Sequence, residues 1–187
     1  MKKIDQPSQS LFDPNALPLY LHGLEGDPMG TKGRHMLKVF GRTGPKMPAK
    51  SDHQGQRPLC FDTCVEVAHH HLKSNPASVL VGSSFGGAVT MAILQRGLWC
   101  GPVVLLAPAI AHYKLELRLP IGAHAIIIHD PDDDLINFQG SIDLHEANSE
   151  SSELWESDGG HKLHTITDNG MLERAVRRQM ERARALI

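Results

Sequence analysis

The segment Ser78–Leu94 limits what this chain can fold into more than any other. Ser78-Val79-Leu80-Val81 is an apolar, β-branched strand and Gly82-Ser83-Ser84-Phe85-Gly86-Gly87 is a tight turn. Ala88-Val89-Thr90-Met91-Ala92-Ile93-Leu94 then continues as an apolar helix. A strand that is apolar on both faces and turns straight into a helix is the unit from which parallel sheets are built. Further apolar runs at Leu19–Leu21, Val103–Leu106, Ala125–Ile128 and Leu154–Glu156 alternate with helical patterns. Together they predict an α/β fold, a single domain over residues 1–187 with a mostly parallel central sheet flanked by helices.

Several local expectations follow. Thr31 is placed to cap a helix with Met36, Leu37 and Phe40 on its inner side. Thr63-Cys64-Val65-Glu66 has the form of a capping box opening a helix to about Lys73. The polar stretch 140–153 reads as partly helical. Residues 169–187 form an amphipathic helix with Leu172, Val176, Met180 and Ala183 along one stripe, suited to cover the sheet. Residues 1–18, with Pro7, Pro14 and Pro18, read as an arm laid over the surface, and residues 41–58 as loop with at most one short strand.

Composition removes some function classes. A net charge of -2 and 5% aromatic residues leave neither a basic surface nor a stacking platform for nucleic acid. The longest apolar runs fall well short of the ~20 residues that span a bilayer. No apolar run follows the lysines of MKKIDQPSQS, so a cytoplasmic location without membrane or nucleic-acid partners is expected. Three cysteines, Cys60, Cys64 and Cys100, lack zinc-like spacing and read as free thiols.

The turn carries the chemistry. Gly82-Ser83-Ser84-Phe85-Gly86 matches G-x-S-x-G, a nucleophile elbow that lifts a serine hydroxyl above the sheet at a helix N-terminus. Its glycines are required where a Cβ would strike the neighbouring helix and strand. A serine hydroxyl is a weak nucleophile at neutral pH and needs an imidazole to take its proton. Of 12 histidines, His161 follows Asp158-Gly159-Gly160 in the loop after the last strand, with His164 as its rival. The run His69-His70-His71 reads as solvated surface of a helix rather than a metal site.

A carboxylate must fix the imidazole, and the loop His129-Asp130-Pro131-Asp132-Asp133-Asp134 supplies the candidates. Asp133 is preferred, with Ile136 able to anchor the loop, while Asp132 and Asp134 stay open. A calcium loop would need glycine and glutamate where Leu135 and Ser141 stand. Oxyanion donors are expected from the backbone N–H groups of Phe85 and of Leu24, in the loop His22-Gly23-Leu24-Glu25. A nucleotide-binding turn is disfavoured, because Gly82–Gly87 lacks the lysine of a P-loop and the GxGxxG spacing.

These segments resemble the α/β-hydrolase superfamily and, within it, the small YqiA-type esterases. The resemblance is carried by Tyr20-Leu21-His22-Gly23-Leu24 with Thr31-Lys32, by Gly82–Gly87, by the aspartate loop and by Gly160-His161. It implies ester hydrolysis through an acyl-enzyme without a cofactor, with Ser84, Asp133 and His161 as triad and Leu24 and Phe85 as oxyanion donors. The chain departs from the usual aspartate loop, where a glycine commonly precedes; here Asp130-Pro131 stands. Only the short stretch Pro108–His124 lies where larger relatives insert a cap, so a minimal cap and small or accessible acyl esters are expected. A thioesterase or amidase with the same triad, or a catalytically silent binding module, are the competing readings.

Overall fold

The computed structural model of the chain describes residues 11–49 and 61–186. Five strands, β1 (Leu19–Leu21), β2 (Leu80–Ser83), β3 (Val103–Leu106), β4 (Ala125–His129) and β5 (Ser152–Glu156), form one sheet in the order β1-β2-β3-β4-β5. Every pairing is parallel, with Leu19 opposite Leu80, Leu80 opposite Val103, Val103 opposite Ala125 and Ala125 opposite Ser152. The expected fold class is therefore the observed one.

Helices cover both faces. On one face α2 (Phe61–Ser74), α3 (Phe85–Gln95) and α4 (Gln139–Glu146) pack over Leu19, Leu21, Leu80, Val103, Leu105, Ala125 and Ile127. On the other, α1 (Thr31–Phe40), the short α5 (Thr165–Asp168) and α6 (Met171–Arg184) pack over Tyr20, Val81, Val104, Leu106, Ile126 and Ile128. Because both faces are covered, the central strands are apolar at every position rather than alternating. Helix α3 is buried from Phe85 to Leu94, which is why its sequence is apolar all round. Leu172, Val176 and Ala183 of α6 are fully buried, so this helix covers its own sheet.

Several local expectations are corrected. Strand β2 begins at Leu80 and extends to Ser83, two residues later than the apolar run suggests, because its register against β1 is set by Leu19. Gly30, not Thr31, stands at the N-cap of α1, and Leu37 is exposed while Gly33 takes the inward position. Thr63 lies inside α2, which starts at Phe61, so no capping box forms there. The described part of the arm is docked: Leu11 is buried in the core, Phe12 bridges Ala77, and its ring meets Trp99 edge-on at 5.6 Å. No strand forms over 41–49; the remainder of the 41–58 stretch, and Cys60, lie outside the described residues.

Strand β1 is an outer strand of the sheet, and an uncovered outer strand offers unpaired backbone groups. The segment around Gly44 lies against it so closely that a Cβ on Gly44 would sit 1.7 Å from the Tyr20 carbonyl oxygen. Gly44→Ala should therefore push this segment off β1 and destabilise the protein by about 1–3 kcal/mol in urea unfolding. An unchanged midpoint would show that the contact carries no stability.

Candidate active site

The turn between β2 and α3 is a strained elbow. Ser84 adopts φ 53° and ψ -112°, a backbone conformation that costs about 1–3 kcal/mol for a residue with a side chain. The turn is held by hydrogen bonds on both sides: the Ser84 N–H donates to the Leu106 carbonyl at 2.8 Å, and the Ala109 N–H to the Ser84 carbonyl at 3.1 Å. A Cβ on Gly86 would fall 2.1 Å from the Leu21 carbonyl oxygen, and one on Gly82 2.4 Å from Thr90 Oγ1. The G-x-S-x-G pattern thus records two close approaches, of α3 to β1 and of β2 to α3.

At the elbow Ser84 Oγ is 2.9 Å from His161 Nε2. His161 sits in a short 3-10 turn, Gly160–Lys162, that follows β5. Its Nδ1 is 2.8 Å from Asp133 Oδ2, and the Asp133 carboxylate is fully buried. Asp133 Oδ1 accepts the backbone N–H groups of Leu135 and Ile136, each at 2.8 Å. Burial pushes the Asp133 carboxyl up, but these two N–H groups and His161 outweigh it and hold the group below its ordinary value. Asp132 and Asp134 are exposed, as is His164, so the expected trio of Ser84, Asp133 and His161 is the one brought together.

Of the two segments expected to supply oxyanion donors, one begins directly after Ser84 and the other passes it at Gly23. Phe85 is the first residue of α3, so its N–H has no intrahelical acceptor. The positive end of the α3 dipole lies there too. On the other side the loop after β1 passes close by; a Cβ on Gly23 would lie 3.6 Å from Ser84 Cβ, and Leu24 follows it. Buried His22 holds this loop. Its Nε2 accepts the Met47 N–H at 2.9 Å, which leaves the proton on Nδ1 to donate to the Gly23 carbonyl at 2.8 Å. Burial keeps the His22 imidazole below its usual basicity, against the Gly23 carbonyl and Asp27, with Lys46 acting in the same direction as burial.

Four further side chains support the site in ways that the sequence does not indicate. Buried Asp130 accepts the Asp132 N–H at 2.8 Å and the Gly160 N–H at 2.6 Å, tying the acid loop to the turn that carries His161. Lys32 Nζ of α1 donates to the Lys162 carbonyl on the same turn, and burial pushes its ammonium down to about 8. His129, at the end of β4, touches Asp133, and His22 braces the loop after β1. A polar residue directly at the end of an apolar strand is the signal that His22, His129 and Asp130 share.

Among the described residues no group of three His, Cys, Asp or Glu side chains could hold a metal ion, and His70 in the triple-histidine run is exposed. No described helix is long and apolar enough to cross a membrane. The stretch between β3 and β4 contains only a 3-10 turn, Ala111–Tyr113, so no cap domain rises over the elbow there.

The fold is an α/β-hydrolase fold. A predicted CIB-like hydrolase of Thermoplasma acidophilum superposes with a TM-score of 0.67 at 17% identity, covering 90% of this chain and 88% of that one. A serine hydrolase homologue of Coxiella burnetii gives 0.65 at 15% identity, over 91% and 87% of the two chains. An α/β serine hydrolase without a lid, from Xanthomonas campestris, gives 0.64 at 16% identity, over 90% and 86%. The chain belongs to the uncharacterised protein family UPF0227, whose model matches residues 17–125. No curated protein matches it in sequence.

The buried histidines make stability depend on pH. Burial lowers His22, His124 and His129 below the ordinary histidine value of 6.5. The unfolded chain therefore binds protons that the folded chain refuses as pH falls below that value. Stability is full above about pH 6.5 and is lost as the pH drops through the lowered folded values, so Tm should fall between pH 7 and pH 5. Calorimetry showing a flat Tm over that range would mean these rings accept protons without cost.

Proposed function

We propose that this protein is a serine hydrolase that cleaves carboxylic esters of small or accessible acyl groups through an acyl-enzyme. The observation that carries the reading is the unbroken line Ser84 Oγ to His161 Nε2 at 2.9 Å and His161 Nδ1 to Asp133 Oδ2 at 2.8 Å. The structural neighbours described as serine hydrolases lend it support at the level of the fold.

The chemistry follows from that line. Ser84 Oγ attacks the ester carbonyl carbon as its proton passes to His161 Nε2. Asp133 holds Nδ1–H, so the lone pair stands on Nε2, and its charge stabilises the imidazolium. The developing oxyanion takes hydrogen bonds from the N–H groups of Phe85 and Leu24. As the tetrahedral intermediate collapses, the carbonyl–oxygen bond to the alcohol breaks and His161 returns its proton to the departing oxygen. Water then gives its proton to His161 and attacks the acyl carbon, and Ser84 leaves with that proton. No step needs a cofactor or metal. The uncapped elbow suits small, accessible acyl groups from a water-soluble ester, without a nucleic-acid or membrane partner.

A fluorophosphonate probe should label the protein at Ser84, mapped by mass spectrometry, and Ser84→Ala should abolish both labelling and hydrolysis of butyrate esters. Absence of label on the folded protein, or saturating turnover of long-chain lipid esters with poor use of butyrate, counts against the reading. Asp130→Asn, which puts an amide where the Gly160 N–H needs a carboxylate oxygen, should lower kcat by roughly 10-fold with KM little changed. A wild-type kcat would remove Asp130 from any role in setting the His161 turn.

A further inference from the structure

Asp133 Oδ2 carries two imidazoles, and the reaction described above uses only one. On its other side His129 Nε2 stands 2.9 Å away, and His129 Nδ1 is 2.7 Å from Ser141 Oγ of α4. His129 is fully buried, Ser141 is 1% exposed, and the Phe138 ring meets the His129 ring at 5.5 Å, nearly perpendicular. Hydrogen-bond chemistry leaves one arrangement. An ionised carboxylate oxygen can only accept, so Nε2 must carry a proton. Burial keeps the ring neutral, against the pull of Asp133 and of the Ile136 carbonyl. Nδ1 is then bare and accepts the Ser141 hydroxyl proton.

We infer that His129 is a positioning residue for the proposed triad: a neutral, permanently oriented donor that holds Asp133 Oδ2 in line with His161 and moderates its pull on the imidazolium. The inference rests on the serine-hydrolase reading and extends it to a five-membered line, Ser141–His129–Asp133–His161–Ser84, running from α4 through the ends of β4 and β5 to the elbow.

The physical reason is the sharing of one oxygen. Asp133 Oδ1 is occupied by the Leu135 and Ile136 N–H groups, which hold that end of the carboxylate. Oδ2 needs a second restraint, because a single bond to the partly exposed His161 ring would let the carboxylate follow every movement of that ring. His129 is a rigid ring on the last residue of a central strand and supplies it. A hydrogen bond donated to a carboxylate also draws off charge, so the oxygen binds a second proton donor less strongly. The charged and titratable groups that act on His129 are Asp133 and His161; α4 meets its Nδ1 with the uncharged Ser141. Beyond burial and the Ile136 carbonyl, the charges that act on the ring are those of the triad.

The test uses the full chain, with nitrogen-15 NMR of the histidine rings beside kinetics on a butyrate ester. His129 is expected as the neutral Nε2–H tautomer at pH 7. His129→Phe, which lacks a donor, should lower kcat by roughly 10- to 100-fold with KM little changed. It should also move the acid limb of kcat/KM to higher pH, because an unshared Oδ2 favours the imidazolium more. His129→Gln, whose amide can donate to Oδ2, should recover most of kcat and return the acid limb toward its original position. If the phenylalanine does not fold, His129→Met serves as the donorless variant.

An Nδ1–H tautomer for His129 would overturn the inference. So would donorless variants with the wild-type kcat and pH profile, or a glutamine variant as impaired as the donorless ones. If the wild type neither turns over the ester nor takes up the fluorophosphonate, the hydrolase reading fails by itself. The ring-nitrogen shifts then still decide whether His129 donates to Asp133.

Discussion

The contact on which the rest depends is the approach of the first turn of α3 to the end of β1. With the Gly86 Cβ position only 2.1 Å from the Leu21 carbonyl oxygen, α3 can start where it does only because that position bears no side chain. Directly before this turn Ser84 is held at φ 53°, with the loop after β1 alongside it. One steric allowance therefore lets α3 start at Phe85 with the loop at Gly23 beside the serine. The cost of the strained residue is met by the fully buried helix behind it, whose apolar surface runs from Phe85 to Leu94.

The second organising element is a chain of strand ends. In a parallel sheet all strands finish at the same edge, so the residues after β1, β2, β4 and β5 gather there whatever their separation in sequence. That edge holds His22, Ser84, His129 with Asp130 and Asp133, and His161. Backbone contacts stitch the loops to one another: Gly160 N–H to Asp130, Lys32 to the Lys162 carbonyl, Met47 N–H to His22. The first two join segments that leave the sheet from different strands, and the third closes the long connection from β1 to β2 on itself. The geometry at Ser84 is accordingly a property of the whole edge and not of the elbow alone.

The two sheet faces share out the remaining work. Helices α2, α3 and α4 bury one face, and α1 and α6 bury the other, which explains why strand sequences run apolar without alternation. Two of these helices also reach the site. Helix α1 contributes Lys32 to the turn bearing His161, and α4 contributes Ser141 to His129. The same helices that close the core thus restrain the polar edge.

Periodicity and turn chemistry were enough to read the strand–turn–helix unit, the apolar strands and the amphipathic α6, and to offer Ser84, His161 and an aspartate of the loop after β4 as candidates for one site. These are local signals: an apolar run, a glycine spacing, a histidine after two glycines, carboxylates after a strand. Helix starts were less legible, because Thr31 and Thr63 have capping side chains but tertiary packing begins each helix at a different place. The docking of Leu11 and Phe12 was also hidden, since a proline-spaced arm carries no period. Among the neighbouring aspartates only the fold shows that Asp133 turns its carboxylate toward His161 while Asp132 and Asp134 are exposed. The double load on Asp133 Oδ2 had no sequence signature at all. A sequence determines which groups are near one another along the chain and which must be buried; only the folded sheet determines which strand ends face each other, and hydrogen bonds at 2.8–2.9 Å depend on that facing.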